Sequence, residues 1–245
     1  MIYVCSDIHG KYDDFMDILK QIEFDDEDYM YVIGDVIDRG PKPIKTLQYI
    51  MEQDNMTMLI GNHEHMMLRA TFYRDYEQYY IWMRNGGGIT LDQFQELSKE
   101  EQDAIMVYLL RSPLVMPQIK VNDKYFYLAH ASHLDKYIEE GMYYIDAKEE
   151  ELEKVVWNRD YLKTKNTGLE DQYGELYSKY KNTTLIIGHT PVYYTDYGKI
   201  KGNLPRISRT KRGHLINIDC GCAAGFPLGC LRLNDMKEFY ANNDN

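Results

Sequence analysis

Three short apolar runs, separated by stretches with helical periodicity, constrain the fold more than any other feature of this sequence. The runs at residues 2–6, 29–33 and 56–60 are rich in strand-forming residues. Between them, apolar residues recur at helical spacing over 15–22 and 44–51, and two prolines suit the start of the second helix. This order predicts a βαβαβ unit with right-handed crossovers and a parallel sheet.

A polar cluster follows each of these runs directly. Asp7 and His9 come after the first run, Asp35 after the second, and Asn62 and His63 after the third. Ligands of open α/β sheets bind outside the carboxyl ends of the strands. We therefore expect the three clusters to converge on one site.

The remainder of the chain is expected to complete a single α/β domain over residues 1–245. A helical insertion is predicted at about 64–112, because Ser98 opens a capping box and Pro113 ends the helix that follows. Residues 163–183 are polar and fit a loop or a mobile helix, and the tail at 237–245 is expected to be frayed. We predict a hairpin at 114–121 and 125–129, a helix at 147–157, and strands of a second sheet at 184–187, 215–218 and 230–233.

Charge and hydropathy argue against several partners and locations. The net charge of −11 argues against general nucleic-acid binding, which needs a basic surface. No apolar run approaches 18 residues, so no membrane-spanning helix is expected. The N-terminus shows no secretory leader, and a cytosolic protein is predicted. The four cysteines are expected to be buried reduced thiols rather than a disulfide framework or a zinc cluster.

Six side chains at predicted strand ends have the chemistry of metal ligands. Carboxylates, imidazoles and an amide oxygen suit Mn²⁺, Fe or Zn²⁺, and the set lacks the thiolates of a structural zinc site. A carboxylate such as Asp35 has two oxygens with which to bridge two cations. The candidate ligands are Asp7, His9, Asp35, Asn62, His130 and His189.

Two metal ions about 3.5–4 Å apart activate a shared water and bind the phosphoryl oxygens during in-line displacement. The leaving alkoxide then needs a proton. His63 directly follows a ligand and has a suitable reference pKa, which makes it the candidate general acid. Asp38 is placed to orient the His63 ring, and Arg39 to bind phosphate oxygens.

The motifs that carry these residues occur in a fixed order. They are Asp7-Ile8-His9-Gly10, Gly34-Asp35-Val36-Ile37-Asp38-Arg39-Gly40, Gly61-Asn62-His63-Glu64, His130 and Gly188-His189-Thr190-Pro191, with Asn85-Gly86-Gly87-Gly88 and Val156-Trp157-Asn158-Arg159 in addition. Together they resemble the phosphoprotein phosphatase branch of the calcineurin-like metallophosphoesterases, closest to the bacteriophage lambda-type serine/threonine phosphatases. The resemblance covers nearly the whole chain.

This resemblance implies two facing mixed β-sheets flanked by helices and two divalent metal ions, often manganese. It implies phosphoprotein or small phosphoester substrates, mainly phosphoserine and phosphothreonine. One metal would be held by Asp7, His9 and Asp35, and the other by Asp35, Asn62, His130 and His189. His63 would be the general acid supported by Asp38, and Arg39, Arg159 and Asn62 would bind the substrate.

Two other functions were compared with this one. A symmetrical dinucleoside tetraphosphatase, or another phosphoesterase on the same scaffold, shares the N-terminal motifs and the Asp219-Cys220-Gly221-Cys222 region. A non-catalytic binding scaffold should lack the acid or a metal ligand, and all of them are present here. Ile60 departs from the family pattern, since many relatives carry a phosphate-binding arginine before the Gly-Asn-His-Glu motif.

Three further histidines are given no part in the site. His65 lies on a presumed helix after the third polar cluster and is interpreted as a satisfied or surface residue. His133 and His214 have no ligand partners at informative spacing.

Overall fold

The computed structural model describes residues 1–134, 140–162 and 182–241. Its strands are β1 (Ile2–Cys5), β2 (Tyr29–Val32), β3 (Met56–Met58), β4 (Pro113–Val121), β5 (Lys124–Ala129), β6 (Met142–Tyr143), β7 (Thr183–Ile187), β8 (Lys199–Lys201), β9 (Leu204–Arg206), β10 (Ser208–Arg209), β11 (Leu215–Asn217), β12 (Gly229–Arg232) and β13 (Lys237–Tyr240). Its α-helices are α1 (Tyr12–Gln21), α2 (Pro43–Met51), α3 (Asn62–Thr71), α4 (Tyr76–Arg84), α5 (Gly88–Gln95), α6 (Lys99–Arg111) and α7 (Glu149–Trp157). The loop or helix expected at 163–183 lies almost entirely outside the described residues.

The first sheet has the strand order β13-β12-β1-β2-β3. Its strands β1, β2 and β3 are parallel neighbours, with Val4 opposite Tyr31 and Tyr31 opposite Thr57. Helix α1 connects β1 to β2, and α2, which begins at Pro43, connects β2 to β3. The predicted βαβαβ unit with a parallel sheet is therefore confirmed.

The second sheet has the strand order β10-β11-β7-β5-β4-β6. Strands β5, β7 and β11 run parallel, whereas β4 and β5 form the predicted antiparallel hairpin. Strands β8 and β9 pair with each other in a separate two-stranded sheet. The fold class is thus α/β with two mixed sheets, as expected.

Alternate residues of the strands divide between two apolar cores. In β1, Val4 belongs to a core shared by strands of both sheets, whereas Tyr3 and Cys5 belong to the core that the helices cover. In β5, Phe126 faces the shared core and Tyr127 the other. Successive side chains of a strand point to opposite faces. The two sheets therefore face each other across one core and carry helices on their outer surfaces.

The helical insertion predicted at about 64–112 consists of α3 to α6. The capping box is present: the Ser98 hydroxyl accepts a hydrogen bond from Glu101 N, and the Glu101 carboxylate accepts one from Ser98 N at 2.9 Å. Helix α6 then ends at Arg111, before Pro113. Helix α3 begins at Asn62, so its first turn lies directly at the carboxyl end of the first sheet.

The strand predicted at 230–233 belongs to the first sheet and not to the second. It is β12, which pairs antiparallel with β1. Its residue Leu231 lies in the core between the sheets, and Cys230 lies in the outer core. Because both faces of β12 are buried, the strand fits beside β1 in the middle of a sheet, a position that local sequence does not specify.

The expectation of a frayed tail from residue 237 is wrong for residues 237–240. These residues form β13 beside β12. Phe239 packs edge-on against Tyr3, with ring centroids 6.2 Å apart. Apolar contact therefore orders this edge strand, while residues 242–245 lie outside the described part of the chain.

Across residues 1–134, 140–162 and 182–241, no helix combines the length and apolarity that crossing a bilayer requires. The cysteines Cys5, Cys220, Cys222 and Cys230 are all buried and form no disulfide. The prediction of buried reduced thiols is confirmed.

Candidate metal centre and active site

The loops that follow β1, β2, β3, β5 and β7 meet at one edge of the fold. Backbone hydrogen bonds hold neighbouring loops together, with His9 N donating to Asp35 O at 2.9 Å and Gly188 N donating to His130 O at 2.8 Å. In consequence, polar residues that are far apart in sequence converge here. The structure brings all the predicted site residues to this edge.

Six of the predicted site residues have a backbone in the left-handed region, which L-amino acids rarely adopt. Their φ angles are 53° at Asp7, 48° at His9, 54° at Asp35, 71° at Asp38, 66° at Arg39 and 65° at His189. Such a conformation costs roughly 1–3 kcal/mol per residue and persists where the surroundings enforce it, commonly at functional sites. Among the described residues, six of the 13 non-glycine residues with positive φ are thus residues that the motifs single out.

Asp35 lies at the centre and directs its two oxygens towards different histidines. Its Oδ2 lies 3.7 Å from His9 Nε2 and 3.9 Å from His63 Nε2, whereas Oδ1 lies 3.4 Å from His130 Nε2. Ligand atoms of His9, Asp35 and His63 lie within 4.8 Å of one another, as do those of Asp35, His130 and His189. A carboxylate in this position is able to join two adjacent cation sites.

Backbone carbonyls fix the orientation of two of the imidazoles. His9 Nδ1 lies 3.0 Å from Ile37 O, and His130 Nδ1 lies 2.8 Å from Ile33 O. Because a carbonyl only accepts hydrogen bonds, Nδ1 carries the hydrogen and Nε2 of the neutral ring is left as the ligand atom. Metal-binding histidines typically have this arrangement. Burial, with the nearby His63, lowers the pKa of His9 well below its usual value and favours the neutral ring.

Asn62 and His189 complete the second group of ligand atoms. Asn62 Oδ1 lies 3.0 Å from His130 Nε2 and 2.8 Å from His189 Nδ1. Burial and the charge of His130 lower the pKa of His189 to about 3, so this ring is neutral. Polar atoms from three separate loops therefore meet within a small volume.

Asp7 is held by a hydroxyl and a backbone amide. Its carboxylate accepts hydrogen bonds from the Ser6 hydroxyl and from His189 N, the latter at 3.0 Å. Gly188 is needed beside it, since a Cβ there would overlap Ser6 Oγ and Asp7 Oδ2. Asp7 belongs to neither of the two close groups of ligand atoms. Its role as a ligand of the first metal stays a prediction.

Several carboxylates of the site are buried, where negative charge without a nearby positive charge is unfavourable. Asp7, Asp35 and Asp219 are each at most 3% exposed. Burial raises the pKa of Asp219 well above its usual value, and the charge of Asp7 raises it further. Burial lowers the pKa of His130, but the charge of Asp35 and its hydrogen bond outweigh this effect and raise that pKa to about 10. Buried carboxylates are stabilised by positive charge close by, and bound cations would supply such charge.

The candidate acid His63 is fully buried and held by Asp38. Its Nδ1 lies 2.5 Å from Asp38 Oδ2. The Asp38 carboxylate also accepts hydrogen bonds from the Trp82 indole at 2.8 Å and from the Thr90 hydroxyl at 2.5 Å. Burial lowers the pKa of His63, but the charges of Asp35 and Asp38 outweigh it, so the pKa is raised. The ring is thereby fixed with Nε2 towards Asp35.

The two candidate phosphate-binding arginines contact imidazole nitrogens. Arg39 donates from Nη1 to His9 Nε2 at 3.0 Å and from Nη2 to His63 Nε2 at 2.9 Å. Arg159 donates from Nε to His189 Nε2 at 3.3 Å. Both arginine side chains are exposed. His9 Nε2 has one lone pair, so a cation bound there would compete with Arg39, and Arg39 would have to move.

Three residues that support the site were given no role from the sequence. Glu64 accepts hydrogen bonds from the backbone amides of two loops, at Gly61, Asp35, Val36 and Ile37, over 2.8–3.2 Å. Trp82 and Thr90 hold Asp38, as described above. Glu64 stands inside a recognised motif and could have been found there. Trp82 and Thr90 lie on α4 and α5 and have no signal in the local sequence.

Ile60 is fully buried and belongs to the outer core. This side chain therefore does not contribute to substrate binding. A core residue thus occupies this position, and Arg39 and Arg159 are the cationic side chains predicted to meet a phosphate.

With the geometry established, the chain was compared with known proteins. The family profile of calcineurin-like phosphoesterases matches residues 1–208. The chain belongs to this family. A solved neighbour, the cold-active protein-tyrosine phosphatase of a psychrophilic Shewanella species, has a TM-score of 0.62 at 17% identity over 98% of this chain and 80% of its own. At that identity the likeness supports the fold of this phosphoesterase.

Three curated proteins that resemble this phosphoesterase carry the names of two different activities. Serine/threonine-protein phosphatase 1 of Salmonella typhimurium is 28% identical, covering 85% of this chain and 91% of that protein. Serine/threonine-protein phosphatase 2 of the same organism is 29% identical over 79% of this chain and 81% of its own. A symmetrical bis(5′-nucleosyl)-tetraphosphatase of Nitrosospira multiformis is 24% identical, over 97% and 94%.

Proposed function

We propose that this phosphoesterase is a metal-dependent serine/threonine phosphoprotein phosphatase with His63 as general acid. One observation carries the proposal: Asp35 directs one oxygen towards each of two ligand groups, directly beside the His63–Asp38 pair. The first feature suits a dinuclear centre, and the second suits protonation of a leaving alkoxide. Their combination favours hydrolysis of a phosphate ester.

The donor set fits two divalent cations. We assign His9 and Asp35, with Asp7, to one ion, and Asp35, Asn62, His130 and His189 to the other. When bound, such a pair supplies Lewis acidity that lowers the pKa of a shared water and neutralises phosphoryl oxygens. The mixture of oxygen and nitrogen donors suits manganese, which we assign as the preferred ion, and zinc or iron fits the same donors.

His63 is positioned to donate its Nε2 proton to the leaving oxygen. Asp38 fixes Nδ1, so the transferable proton is at the nitrogen that faces the cation site. Burial disfavours the imidazolium, but Asp35 and Asp38 together raise the pKa of His63 above its ordinary value. The two carboxylates therefore favour the protonated ring that a general acid needs, and we infer that Nε2 takes up its proton when Arg39 turns from it to the phosphate.

Arg39 and Arg159 are proposed to bind the phosphate of the substrate. Both guanidinium groups approach the imidazoles from the exposed side of the site, one from the loop after β2 and one from the residues after α7. A planar guanidinium binds phosphate oxygens in a bidentate manner. A bound phosphoryl group between them would take over the hydrogen bonds that now end on His63 and His189.

The phosphoprotein assignment is supported by the two Salmonella phosphatases and by the intact Gly188-His189-Thr190-Pro191 motif. The competing assignment is a symmetrical dinucleoside tetraphosphatase. It is favoured by the Nitrosospira relative, which spans nearly the whole chain, and by Asp219, which is buried close enough to Asp7 for their charges to interact. Location in the cytosol stays a prediction from the sequence.

A direct comparison of substrates separates the two assignments. Purified protein with added Mn²⁺ is assayed on a phosphoserine peptide and on diadenosine tetraphosphate at equal concentrations. We expect a higher kcat/KM on the phosphopeptide, and loss of that activity in His63→Asn. Hydrolysis of the dinucleotide with none of the phosphopeptide would overturn the phosphatase assignment while leaving the dinuclear centre intact.

A further inference from the structure

A buried histidine outside the active site has a ring nitrogen without a partner. His65 lies on α3 and is fully buried, so the interpretation as an ordinary structural or surface residue needs revision. Its Nδ1 lies 3.0 Å from the Tyr144 hydroxyl. Its Nε2, by contrast, has no hydrogen-bond partner in the part of the chain that the structure describes. Buried polar atoms are nearly always satisfied in native proteins, and an exception calls for a physical reason.

Two carboxylates of α7 lie beside this imidazole. Glu149 and Glu153 are four residues apart and therefore project from the same side of the helix. One carboxylate oxygen from each of them and one ring nitrogen of His65 lie within 4.8 Å of one another. Because the Tyr144 hydroxyl uses Nδ1, the unpartnered Nε2 is the nitrogen left for a ligand.

We propose that His65, Glu149 and Glu153 bind a third divalent transition-metal ion, separate from the active-site pair. One imidazole nitrogen with two carboxylate oxygens is a donor set that suits Zn²⁺ above Mg²⁺ or Ca²⁺. The Glu149 side chain is 56% exposed and Glu153 is also exposed, so both can move to ligand distances of about 2.0–2.2 Å. Water completes the coordination from the solvent side.

The electrostatics of the cluster favour a cation. Arg69 is the competing positive charge, since it donates to Glu149 Oε2 at 3.2 Å and to Asp75 Oδ2 at 2.9 Å. Burial raises the pKa of Glu153, and the charge of Glu149 raises it further, while Arg69 offsets this only in part. One guanidinium shared among three carboxylates leaves net negative charge. A bound ion neutralises it while Arg69 keeps its bond to Asp75.

An ion at this position joins a helix that carries active-site residues to a helix that an active-site residue follows. Helix α3 begins with Asn62 and His63, and Arg159 follows α7 closely. The ion would thus crosslink the element that presents the general acid to the element that precedes a phosphate-binding arginine. We expect it to stabilise the fold rather than to enter the reaction. The inference goes beyond the proposed phosphatase activity and shares no ligand with that site.

Metal counting on matched variants tests this site. Protein is equilibrated with Zn²⁺, freed of excess ion by gel filtration, and analysed for bound metal by plasma mass spectrometry. We expect Glu153→Gln to bind one equivalent less than the wild type, and Glu150→Gln, an equal charge change in the same helix outside the cluster, to bind as much as the wild type. Zn²⁺ should also raise the melting temperature of Glu150→Gln more than that of Glu153→Gln.

The same count in an Asp35→Asn background separates this site from the active-site pair. There the active-site equivalents are expected to be lost and one equivalent to remain, which Glu153→Gln then removes. His65→Gln should act like Glu153→Gln if it folds, and the exposed glutamate variant keeps the test valid if it does not. Equal Zn²⁺ binding by the wild type, Glu153→Gln and Glu150→Gln would refute the third site, whatever the outcome of the phosphatase assays.

Discussion

The buried and the exposed parts of the active site are built in different ways. Asp35, Asp38 and His63 are at most 2% exposed, and hydrogen bonds from neighbouring loops and helices fix each of them. Arg39 and Arg159 are exposed and contact the site through hydrogen bonds to imidazole nitrogens, two from Arg39 and one from Arg159. The proposed ligands and the proposed acid are thus positioned before a substrate arrives, whereas the arginines proposed to bind phosphate are free to adjust to it. Substitutions in the buried part should therefore cost the most activity.

Asp35→Asn should produce the largest loss, because it removes the charge that the two ligand groups share. We expect the activity to fall by more than the about 10²–10⁴-fold typical of one acid–base group, with loss of bound metal. Activity and metal content are measured on the same preparation. Asp123→Asn, in the exposed turn of the β4–β5 hairpin, is the control and should behave like the wild type. Full metal content in Asp35→Asn would disprove the bridging role.

His63→Asn should reduce kcat by about 10²–10⁴-fold and leave the metal content unchanged, because it removes a proton donor and not a ligand. The leaving group sharpens this test. An aryl phosphate with an acidic phenol needs little protonation, so its hydrolysis should be impaired less than that of a phosphoserine peptide. An equal loss on both substrates, or loss of metal, would argue against His63 as general acid.

Asp38→Asn should have a smaller effect, about 10–100-fold, as expected for a group that orients another. Its charge helps to raise the pKa of His63, so removing it lowers that pKa. The acid must be protonated, and activity is lost as the pH rises through its pKa. The basic limb of kcat/KM against pH should therefore move to lower pH in this variant. An unchanged limb would show that Asp38 does not tune the acid.

Arg159→Ala should show the smallest loss, about tenfold in kcat/KM, equivalent to the lower end of the 1.5–3 kcal/mol for a hydrogen bond to a charged group. The low figure follows from the exposure of this side chain. Metal content should not change. Arg206→Ala, an arginine in the separate β8–β9 hairpin, serves as the control for the loss of one positive charge. A loss as large as that of His63→Asn would break the distinction between the two parts of the site.

Much of the site could be predicted because its residues lie at strand ends within recognisable motifs. Asp7, Asp35 and Asn62 each follow an apolar run, and parallel strands bring their carboxyl ends to the same edge. The partners of Asp38 could not be predicted in the same way. Trp82 and Thr90 reach it from two helices across 44 and 52 residues of sequence, and no local pattern marks such contacts.

The placement of β12 shows that local sequence also leaves part of the fold undetermined. Its apolar residues predict a strand, but which sheet it joins depends on the partner that buries both its faces, and that partner is β1 at the other end of the chain. The edge strand β13 is ordered by contacts with distant residues, among them the Phe239–Tyr3 contact and the ion pair between Glu238 and Arg209.

The sequence by itself determined the βαβαβ unit, the α/β class and the set of candidate ligands, because periodicity and residue chemistry are local properties. Tertiary structure alone decided which way the Asp35 oxygens point, what holds Asp38, and that His65 is buried against two glutamates of α7. These features depend on which surfaces pack together. Packing depends on many weak contacts between residues from the whole chain, so no short stretch of sequence determines which surfaces meet.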